Sequence, residues 1–221
     1  MKDLPHGPLE IREAESKRVL TEAKDKYPDH RIGIYFGEPK NSAVLIHLIL
    51  SCFSEVPWKI FIPKTGLEFE EEILFRRKLE NDWKLNVTTL RSEKGIDVRN
   101  SFKDDKDCCY ELKTLPLKNA AEENSLQALV LPTIKDETFF RDQVSFLESS
   151  FAIIQPVLNF YPIDIWRYIK KYNLPYCGLY RRGYRLIRCE ACSPRFGTEK
   201  SSESTKEDEE ISKRLRALGY L

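Results

Sequence analysis

The chain has 221 residues, enough for one α/β domain with a hydrophobic core and a short appendage. Its 36 Lys and Arg residues nearly cancel its 35 Asp and Glu residues. The formal charge of +1 gives no overall field for nucleic acid, so any anion site must be local. The longest apolar run, residues 43–53, is too short to span a membrane, and the polar N-terminus carries no signal-peptide core. We therefore expect a cytoplasmic protein with no membrane contact and no nucleic acid partner.

The spacing of apolar residues predicts an α/β fold. Strands are predicted at 31–36, 58–62, 85–90 and 125–131. Helices are predicted at 8–27, 42–51, 68–78 and 162–172, with a turn at 37–40 between the first strand and the second helix. Strands that alternate with helices favour a parallel sheet covered on both faces.

Composition divides the chain into three segments. Residues 1–30 form an N-terminal helical segment, and residues 31–197 form the α/β domain. Residues 198–221 begin as an acidic, Ser-rich linker and end in an amphipathic helix built on Ile211, Leu215 and Leu218.

Six cysteines in a chain without a secretion signal indicate metal or redox chemistry before a disulfide framework. Four of them form two pairs, Cys108-Cys109 and Cys189-x-x-Cys192. A Cys-x-x-Cys turn places two thiolates on one side of a tight bend. The side chains of adjacent cysteines point apart. The separate iron atoms of a cubane can bind such thiolates more easily than one tetrahedral zinc ion can. Spacing alone leaves a 4Fe–4S cluster and a zinc ion as equal candidates, ahead of simple packing.

Basic residues surround the second cysteine pair. These residues are Arg181, Arg182, Arg185, Arg188 and Arg195. A cluster with four thiolates carries negative charge, which nearby bases stabilise. The same arginines could instead form a solvated patch or a docking site for sulfate, phosphate or an acidic partner.

Several motifs resemble those of the cluster-bearing sulfonucleotide (PAPS/APS) reductases. Residues 108–118 (CCYELKTLPLK) are similar to the family's Cys-Cys-x-x-x-Lys…Pro-Leu segment, and residues 155–169 resemble its Pro-Leu…Asp-Val-Trp-x-Tyr-Ile stretch. Residues 174–192 match Leu-Pro-Tyr…Gly-Tyr-x-x-Ile-Gly-Cys-x-x-Cys. The resemblance covers about 31–195. It implies an adenine nucleotide α-hydrolase-like fold, a parallel sheet flanked by helices, and makes zinc the minority choice. The 4Fe–4S cluster that it implies would be held by Cys108, Cys109, Cys189 and Cys192.

The resemblance breaks down where the family grips phosphate. Family members carry Ser-Gly-Gly-Lys-Asp-Ser after the first strand, and its amides and the following helix N-terminus bind the anion. Here residues 37–42 read Gly-Glu-Pro-Lys-Asn-Ser. Pro39 has no N–H to donate, and Glu38 places a carboxylate where a phosphate would lie. Lys40 and Ser42 remain as candidate anion ligands, but a plain strand-to-helix turn is favoured over a working phosphate cradle.

Two further departures concern the substrate. Residues 63–66 read Pro-Lys-Thr-Gly where the family has Asp-Thr-Gly, and residues 133–138 only resemble the family's arginine loop. Lys135 lies within that stretch and Arg141 follows it. These two residues are candidate ligands for the anionic end of a substrate; alternatively, they are solvated loop charges.

The last departure concerns the nucleophile. The family attacks sulfur with a cysteine in a C-terminal Glu-Cys-Gly-Leu-His motif, whereas this sequence has no cysteine after Cys192. Cys177, in the triplet Cys-Gly-Leu, imitates that motif but lies upstream of it, and we interpret it as a packing or loop thiol. Cys52, on the apolar second helix, is interpreted as a core residue.

Two main hypotheses follow. In the first, a divergent but working reductase forms an S-sulfo intermediate, and a redox donor such as thioredoxin or ferredoxin completes the reaction. In the second, fold and cluster persist without nucleotide chemistry, and the chain is an electron-transfer or structural subunit whose protein partner contacts the basic face at 181–195. The combined departures favour the second hypothesis. A sulfur-transfer enzyme acting on RNA or a cofactor is a third, and the altered loop weighs against it.

Overall fold

The computed structural model describes residues 7–92, 105–134 and 141–193, and these form one five-stranded parallel sheet flanked by helices. The strands, in the spatial order β3-β2-β1-β4-β5, are β1 Ile32–Tyr35, β2 Lys59–Lys64, β3 Val87–Arg91, β4 Ala128–Val130 and β5 Ala152–Ile154. The helices are α1 Leu9–Lys26, α2 Pro39–Phe53, α3 Glu70–Asp82, α4 Asp105–Cys109, α5 Leu115–Glu123, α6 Arg141–Glu148 and α7 Pro162–Lys171. Among these helices, none combines the length and apolar character that a membrane crossing requires.

The order of the strands reverses at β1: β2 and β3 follow on one side of it, and β4 and β5 on the other. Gly33 is in register with Lys59 of β2 on one side and with Leu129 of β4 on the other. The chain leaves β1 towards β2, so the switch point lies between β1 and β4. In open parallel sheets a crevice opens at such a point, beyond the carboxyl ends of the strands. Residues that follow β1 and β4 therefore line the crevice of this fold.

Alternate strand residues build two cores, one on each face of the sheet. Ile34 and Val130 belong to the core beneath α1, α2, α3 and α7, together with buried Leu45. Tyr35 and Leu129 belong to the core on the other face, beneath α5 and α6. Both strands are buried on both faces, which fits a sheet covered by helices.

The predicted α/β class, the parallel sheet and all four predicted strands are confirmed, although β4 is shorter than predicted. The predicted start of the second helix at Ser42 is wrong, because α2 begins at Pro39. Proline suits a first helical turn, where no amide donor is needed, and Glu38 caps the helix. The helix α3 runs to Asp82, one turn beyond the bases predicted to end it. The C-terminal helix predicted within 198–221 lies outside the described residues.

Candidate functional site

A glutamate carboxylate lies at the N-terminus of α2. Glu38 accepts a hydrogen bond from the Asn41 backbone N–H at 3.1 Å and one from Lys40 Nζ at 2.8 Å. The Tyr180 hydroxyl donates a third hydrogen bond to this carboxylate. Glu38 and Lys40 are 5% and 4% exposed, so the ion pair is shielded from water. The N-terminus of a 15-residue helix carries partial positive charge, and the chain's own carboxylate neutralises it.

The same loop contacts the segment that leads to the second cysteine pair. Lys40 Nζ donates to the Arg185 carbonyl at 3.2 Å, and the Lys40 backbone N–H donates to the Tyr180 hydroxyl at 3.2 Å. Ser42 is buried, and within the described chain its hydroxyl has no hydrogen-bond partner. The two predicted anion ligands of this loop are therefore inside the protein, and Lys40 is held by groups of the chain itself.

The first cysteine pair lies in a helix with a widened turn. Cys109 ends α4, a π-helical turn spans Tyr110–Thr114, and α5 follows without a break in helical geometry. The Leu115 N–H donates to the Tyr110 carbonyl, five residues earlier. Pro116 has no N–H, so the regular pattern cannot continue through this point. Both Cys108 and Cys109 are buried.

The second pair lies on a tight bend. Cys189 precedes a 3-10 helix, Glu190–Cys192, in which the Cys192 N–H donates to the Cys189 carbonyl at 2.9 Å. The Ser193 hydroxyl donates to the same carbonyl at 2.9 Å. The Glu190 N–H donates to the Leu67 carbonyl at 2.8 Å, which attaches the bend to the loop after β2.

A buried lysine joins the two pairs. Burial alone would lower the pKa of Lys113, but the nearby Cys189, Tyr35 and Cys109 outweigh it and raise that pKa. A hydrogen bond from Cys192 outweighs the effect of burial and, with Lys113, lowers the pKa of Cys189 to about 5. Burial raises the pKa of Cys109 to about 11, although Lys113 opposes this shift. The structure therefore gathers thiols from both pairs around one buried ammonium group.

Across the described residues, no three His, Cys, Asp or Glu side chains are close enough to hold one metal ion. The described ranges include all six cysteines, and none of these is in a disulfide bond.

Two clefts open beside these groups. The first lies beyond β1 and β4 and has mainly apolar walls that include Leu117, Leu131 and Leu147. The second reaches Cys189. Both clefts are lined by Tyr35, Gly37, Glu38 and Lys113. The altered loop and the buried lysine thus lie side by side at the switch point of the sheet.

The charges that line the second cleft are matched in number. Its carboxylates are Glu38, Glu68 and Glu72, and its cations are Arg76, Lys113 and Arg188. Glu68 accepts hydrogen bonds from the Thr65 backbone and hydroxyl at 2.6 and 2.7 Å. Glu72 pairs with Arg76, and burial raises the pKa of Glu72 to about 7. The cleft therefore offers an incoming polyanion no clear excess of positive charge.

The remaining predicted residues have mixed outcomes. Cys177 is 1% exposed and burial raises its pKa to about 11, so the prediction of a packing thiol is confirmed. Cys52 packs against the core but is only half-buried. Lys135 and Arg195 lie outside the described residues, and for Arg141, the first residue of α6, only the backbone is described.

The exposed arginines are held at the surface. Arg182 pairs with Glu71 of α3, and Arg181 Nε donates to the Tyr176 hydroxyl at 3.0 Å. Sequence reasoning did not assign roles to Lys113 or Tyr180. Lys113 was visible as the lysine of the Cys-Cys-x-x-x-Lys segment, but Tyr180 meets Glu38 across 142 residues, and no local pattern signals that contact.

A family model described as the phosphoadenosine phosphosulfate reductase domain matches residues 33–195. The adenosine 5'-phosphosulfate reductase of Bacillus velezensis is 30% identical over 169 residues, which cover 71% of each chain.

Two solved structures share the fold. The phosphoadenylyl-sulfate reductase of Candida auris, in a phosphate complex, has a TM-score of 0.62 and 14% identity, with 87% of this chain and 98% of that chain covered. The U34-tRNA thiolase NcsA of Methanococcus maripaludis, with its [4Fe-4S] cluster, has a TM-score of 0.58 and 12% identity, with 95% and 74% covered. At these identities both matches show the fold alone.

Proposed function

Because the chain belongs to the phosphoadenosine phosphosulfate reductase domain family, we propose that it is a divergent member that keeps a 4Fe–4S cluster and has lost sulfonucleotide reduction. In this proposal it is an electron-transfer or structural subunit of a larger assembly. One observation carries it: the Glu38 carboxylate lies at the α2 N-terminus, paired with Lys40.

Nucleotide binding would have to displace this carboxylate. A phosphate at the α2 N-terminus needs the backbone N–H groups and a free cation. Here the Asn41 N–H and the Lys40 ammonium already bond to Glu38, and residue 39 is a proline without an N–H. Since Glu38 is buried, a polyanion placed beside it would meet repulsion that water screens poorly. ATP, APS and PAPS are expected to bind weakly or not at all.

The cysteines support the cluster half of the proposal. Thiolates are soft ligands that suit zinc and iron–sulfur groups. A cubane has separate iron corners, so it can bind thiolates that lie too far apart to share one metal ion, such as Cys108 and Cys109 on one helix and Cys189 and Cys192 on a bend much later in the chain. The buried ammonium of Lys113 provides the positive charge that a negatively charged cluster requires. When bound, such a cluster supplies one-electron transfer.

A partner is part of this proposal. The family's reductases take electrons from thioredoxin-like donors, and the protein that contacts this chain would be a redox protein of the thioredoxin or ferredoxin kind or a larger complex, in the cytoplasm. Arg181 and Arg182 are exposed and precede the cysteine bend in the chain, with Arg182 paired to Glu71 of α3. Replacing both with Glu is expected to weaken co-purification with the partner and to leave the cluster's spectrum unchanged, as checked by affinity purification from the native host. An unchanged set of co-purified proteins would contradict this role for the basic face.

The direct test is purification without oxygen, followed by iron and sulfide analysis and by calorimetry. We expect a brown protein with about four irons and four sulfides per chain, and no heat of binding from ATP, APS or PAPS. Stoichiometric zinc without visible absorption would overturn the cluster. A micromolar affinity for APS or PAPS, near −8 kcal/mol, with thioredoxin-dependent sulfite release, would instead establish a working reductase, the activity of the Bacillus velezensis relative.

A further inference from the structure

We propose that Glu38 and Lys40, at the position where the family grips phosphate, act as a clasp that holds the segment carrying Cys189 and Cys192. The clasp is the set of contacts from Glu38 and Lys40 to Tyr180 and to the Arg185 carbonyl. The contacts themselves do not depend on a cluster. Their effect on cluster retention rests on the proposed function.

The clasp is a closed network of hydrogen bonds. The Tyr180 hydroxyl donates to Glu38 and accepts from the Lys40 backbone N–H. The Lys40 ammonium bonds to Glu38 and to the Arg185 carbonyl, and it lies 4.9 Å from the centre of the Tyr180 ring. Apart from the bond between Lys40 and Glu38, each contact therefore joins the start of α2 to residues about 140 positions later in the chain.

Burial makes these contacts strong and their loss costly. Glu38, Lys40 and Tyr180 are 5%, 4% and 0% exposed. Hydrogen bonds to charged groups in a water-excluded environment contribute more than neutral ones, and a buried group left without its partner is destabilising. The loop and the segment are therefore expected to keep one fixed relative position.

Tyr180 is a rigid point of attachment. Its ring packs edge-to-face against Trp166 of α7, with centroids 5.3 Å apart. It belongs to a 3-10 helix, Gly178–Arg182, that ends at Gly183 with φ +86°, a backbone geometry suited to glycine. A displacement of Tyr180 would therefore move this 3-10 helix, from which the segment begins, as one body.

The chain between Tyr180 and the cysteines has other attachments, which include the Arg182–Glu71 ion pair to α3 and the burial of Ile187 in the core. Tyr184 packs against Phe69, with ring centroids 5.1 Å apart, and the Glu190 N–H bonds to the Leu67 carbonyl. Both of these contacts reach the loop before α3. The contacts of the clasp reach a different element, α2, so they give the segment an attachment that is separate from the loop before α3.

Tyr180→Phe is the sharpest test, because it removes one hydroxyl and keeps the buried ring. Lys40→Met removes the ammonium that bridges Glu38 and the Arg185 carbonyl. Two variants serve as matched controls. Tyr176→Phe removes a hydroxyl that accepts a hydrogen bond from Arg181 and takes no part in the clasp, and Lys118→Met removes an ion pair with Glu122 on α5.

Hydrogen exchange, followed by mass spectrometry on peptides spanning 183–192, is the primary measurement. We expect Tyr180→Phe and Lys40→Met to speed exchange there by about tenfold or more, the effect of losing a hydrogen bond to a charged group, and the control variants to match the wild type. In iron-loaded protein the same two variants should lose iron to a chelator several-fold faster. Unchanged exchange in both variants would overturn the clasp. If Tyr180→Phe does not fold, Lys40→Met decides alone.

The exchange experiment is run on both metal-free and iron-loaded chains. This separates the two proposals. A wild-type chain that takes up no iron refutes the cluster, while the exchange rates of the metal-free chain still decide whether the clasp exists. Faster exchange with unchanged iron retention would overturn the effect of the clasp on the cluster.

Discussion

Two regions at the switch point of the sheet each contain a buried lysine, but the groups that balance its charge differ. In the loop after β1, the Lys40 ammonium faces a carboxylate two residues away, and the pair is complete within the chain. At the cysteine pairs, the Lys113 ammonium is stabilised by thiols and by Tyr35. Of these thiols, Cys189, whose pKa is lowered to about 5, supplies a thiolate counter-charge, whereas burial raises the pKa of Cys109 to about 11 and keeps that thiol protonated. The ion pair of the first region is therefore complete, while the second region holds a buried thiol that loses its proton only to a ligand-binding group such as a metal centre.

The largest expected effect comes from removing a cysteine ligand. Cys109→Ser and Cys192→Ser should each lose most of the bound iron and the visible absorption, because an alcohol is a poor substitute for a thiolate. Iron analysis and absorbance of protein purified without oxygen check this. Cys177→Ser is the control, since that buried thiol lies outside the pairs, and it should keep the colour. Equal loss of iron in all three variants would contradict the assignment of the ligands.

Lys113→Met removes the buried ammonium of the second region. Since Lys113 stabilises the Cys189 thiolate, the pKa of Cys189 should rise from about 5 in the metal-free variant. Losing one partner of a buried charge pair costs about 3 kcal/mol. A thiolate absorbance titration and urea unfolding measure the two effects. An unchanged thiol titration would show that Lys113 does not organise the site.

Glu72 lies in the second cleft, where it pairs with Arg76. Its protonation shows whether this buried carboxylate is neutralised by its partner as Glu38 is by Lys40. The pKa of Glu72 is raised from 4.5 to about 7 by burial, so the folded protein holds the proton more tightly than the unfolded chain. The resulting stability is complete below pH 4.5 and is lost as the pH rises through about 7. The wild type should lose on the order of 2 kcal/mol more than Glu72→Gln between pH 5 and pH 8.

Urea unfolding of both chains across this pH range checks the prediction. Glu71→Gln is the control, because Glu71 is exposed and pairs with Arg182 at the surface. Its pH dependence should follow that of the wild type. Parallel curves for the wild type and Glu72→Gln would show that Arg76 compensates Glu72 fully.

The smallest expected effect is a gain in affinity for an anion, pyrophosphate. Glu38→Ser removes the carboxylate from the α2 N-terminus and leaves Lys40 and the buried Ser42 hydroxyl beside it. Pyrophosphate affinity should increase by about tenfold, near 1.4 kcal/mol, from the helix terminus and one released cation. Calorimetry measures it, with Glu71→Gln as a control that should show no gain. A folded Glu38→Ser chain without any gain would show that the loop cannot hold an anion in any form.

Local patterns predicted the parts of the molecule that depend on local chemistry. The strands around Ile34 and Phe61 are continuous apolar runs. Residues 37–42 already indicated that the Glu38 carboxylate lies where the family binds phosphate. The three-residue strand β5 was missed, because Ala152–Ile154 is too short to show a period. The contact between Glu38 and Tyr180 was missed because it joins distant parts of the chain. Lys113 was seen only as a motif residue, since its burial among thiols depends on tertiary packing.

The π-helical turn Tyr110–Thr114 sets the rotation of Cys108 and Cys109 relative to α5. An α-helix advances by about 100° per residue. Deleting a single residue from this turn, with α5 kept in place by Leu117 and Ala121, would turn both cysteines about the helix axis by roughly that angle. The thiols would then face a different side of the helix, away from the bend at Cys189. The length of this turn, counted in residues, is therefore as strict a requirement for the site as the cysteines themselves.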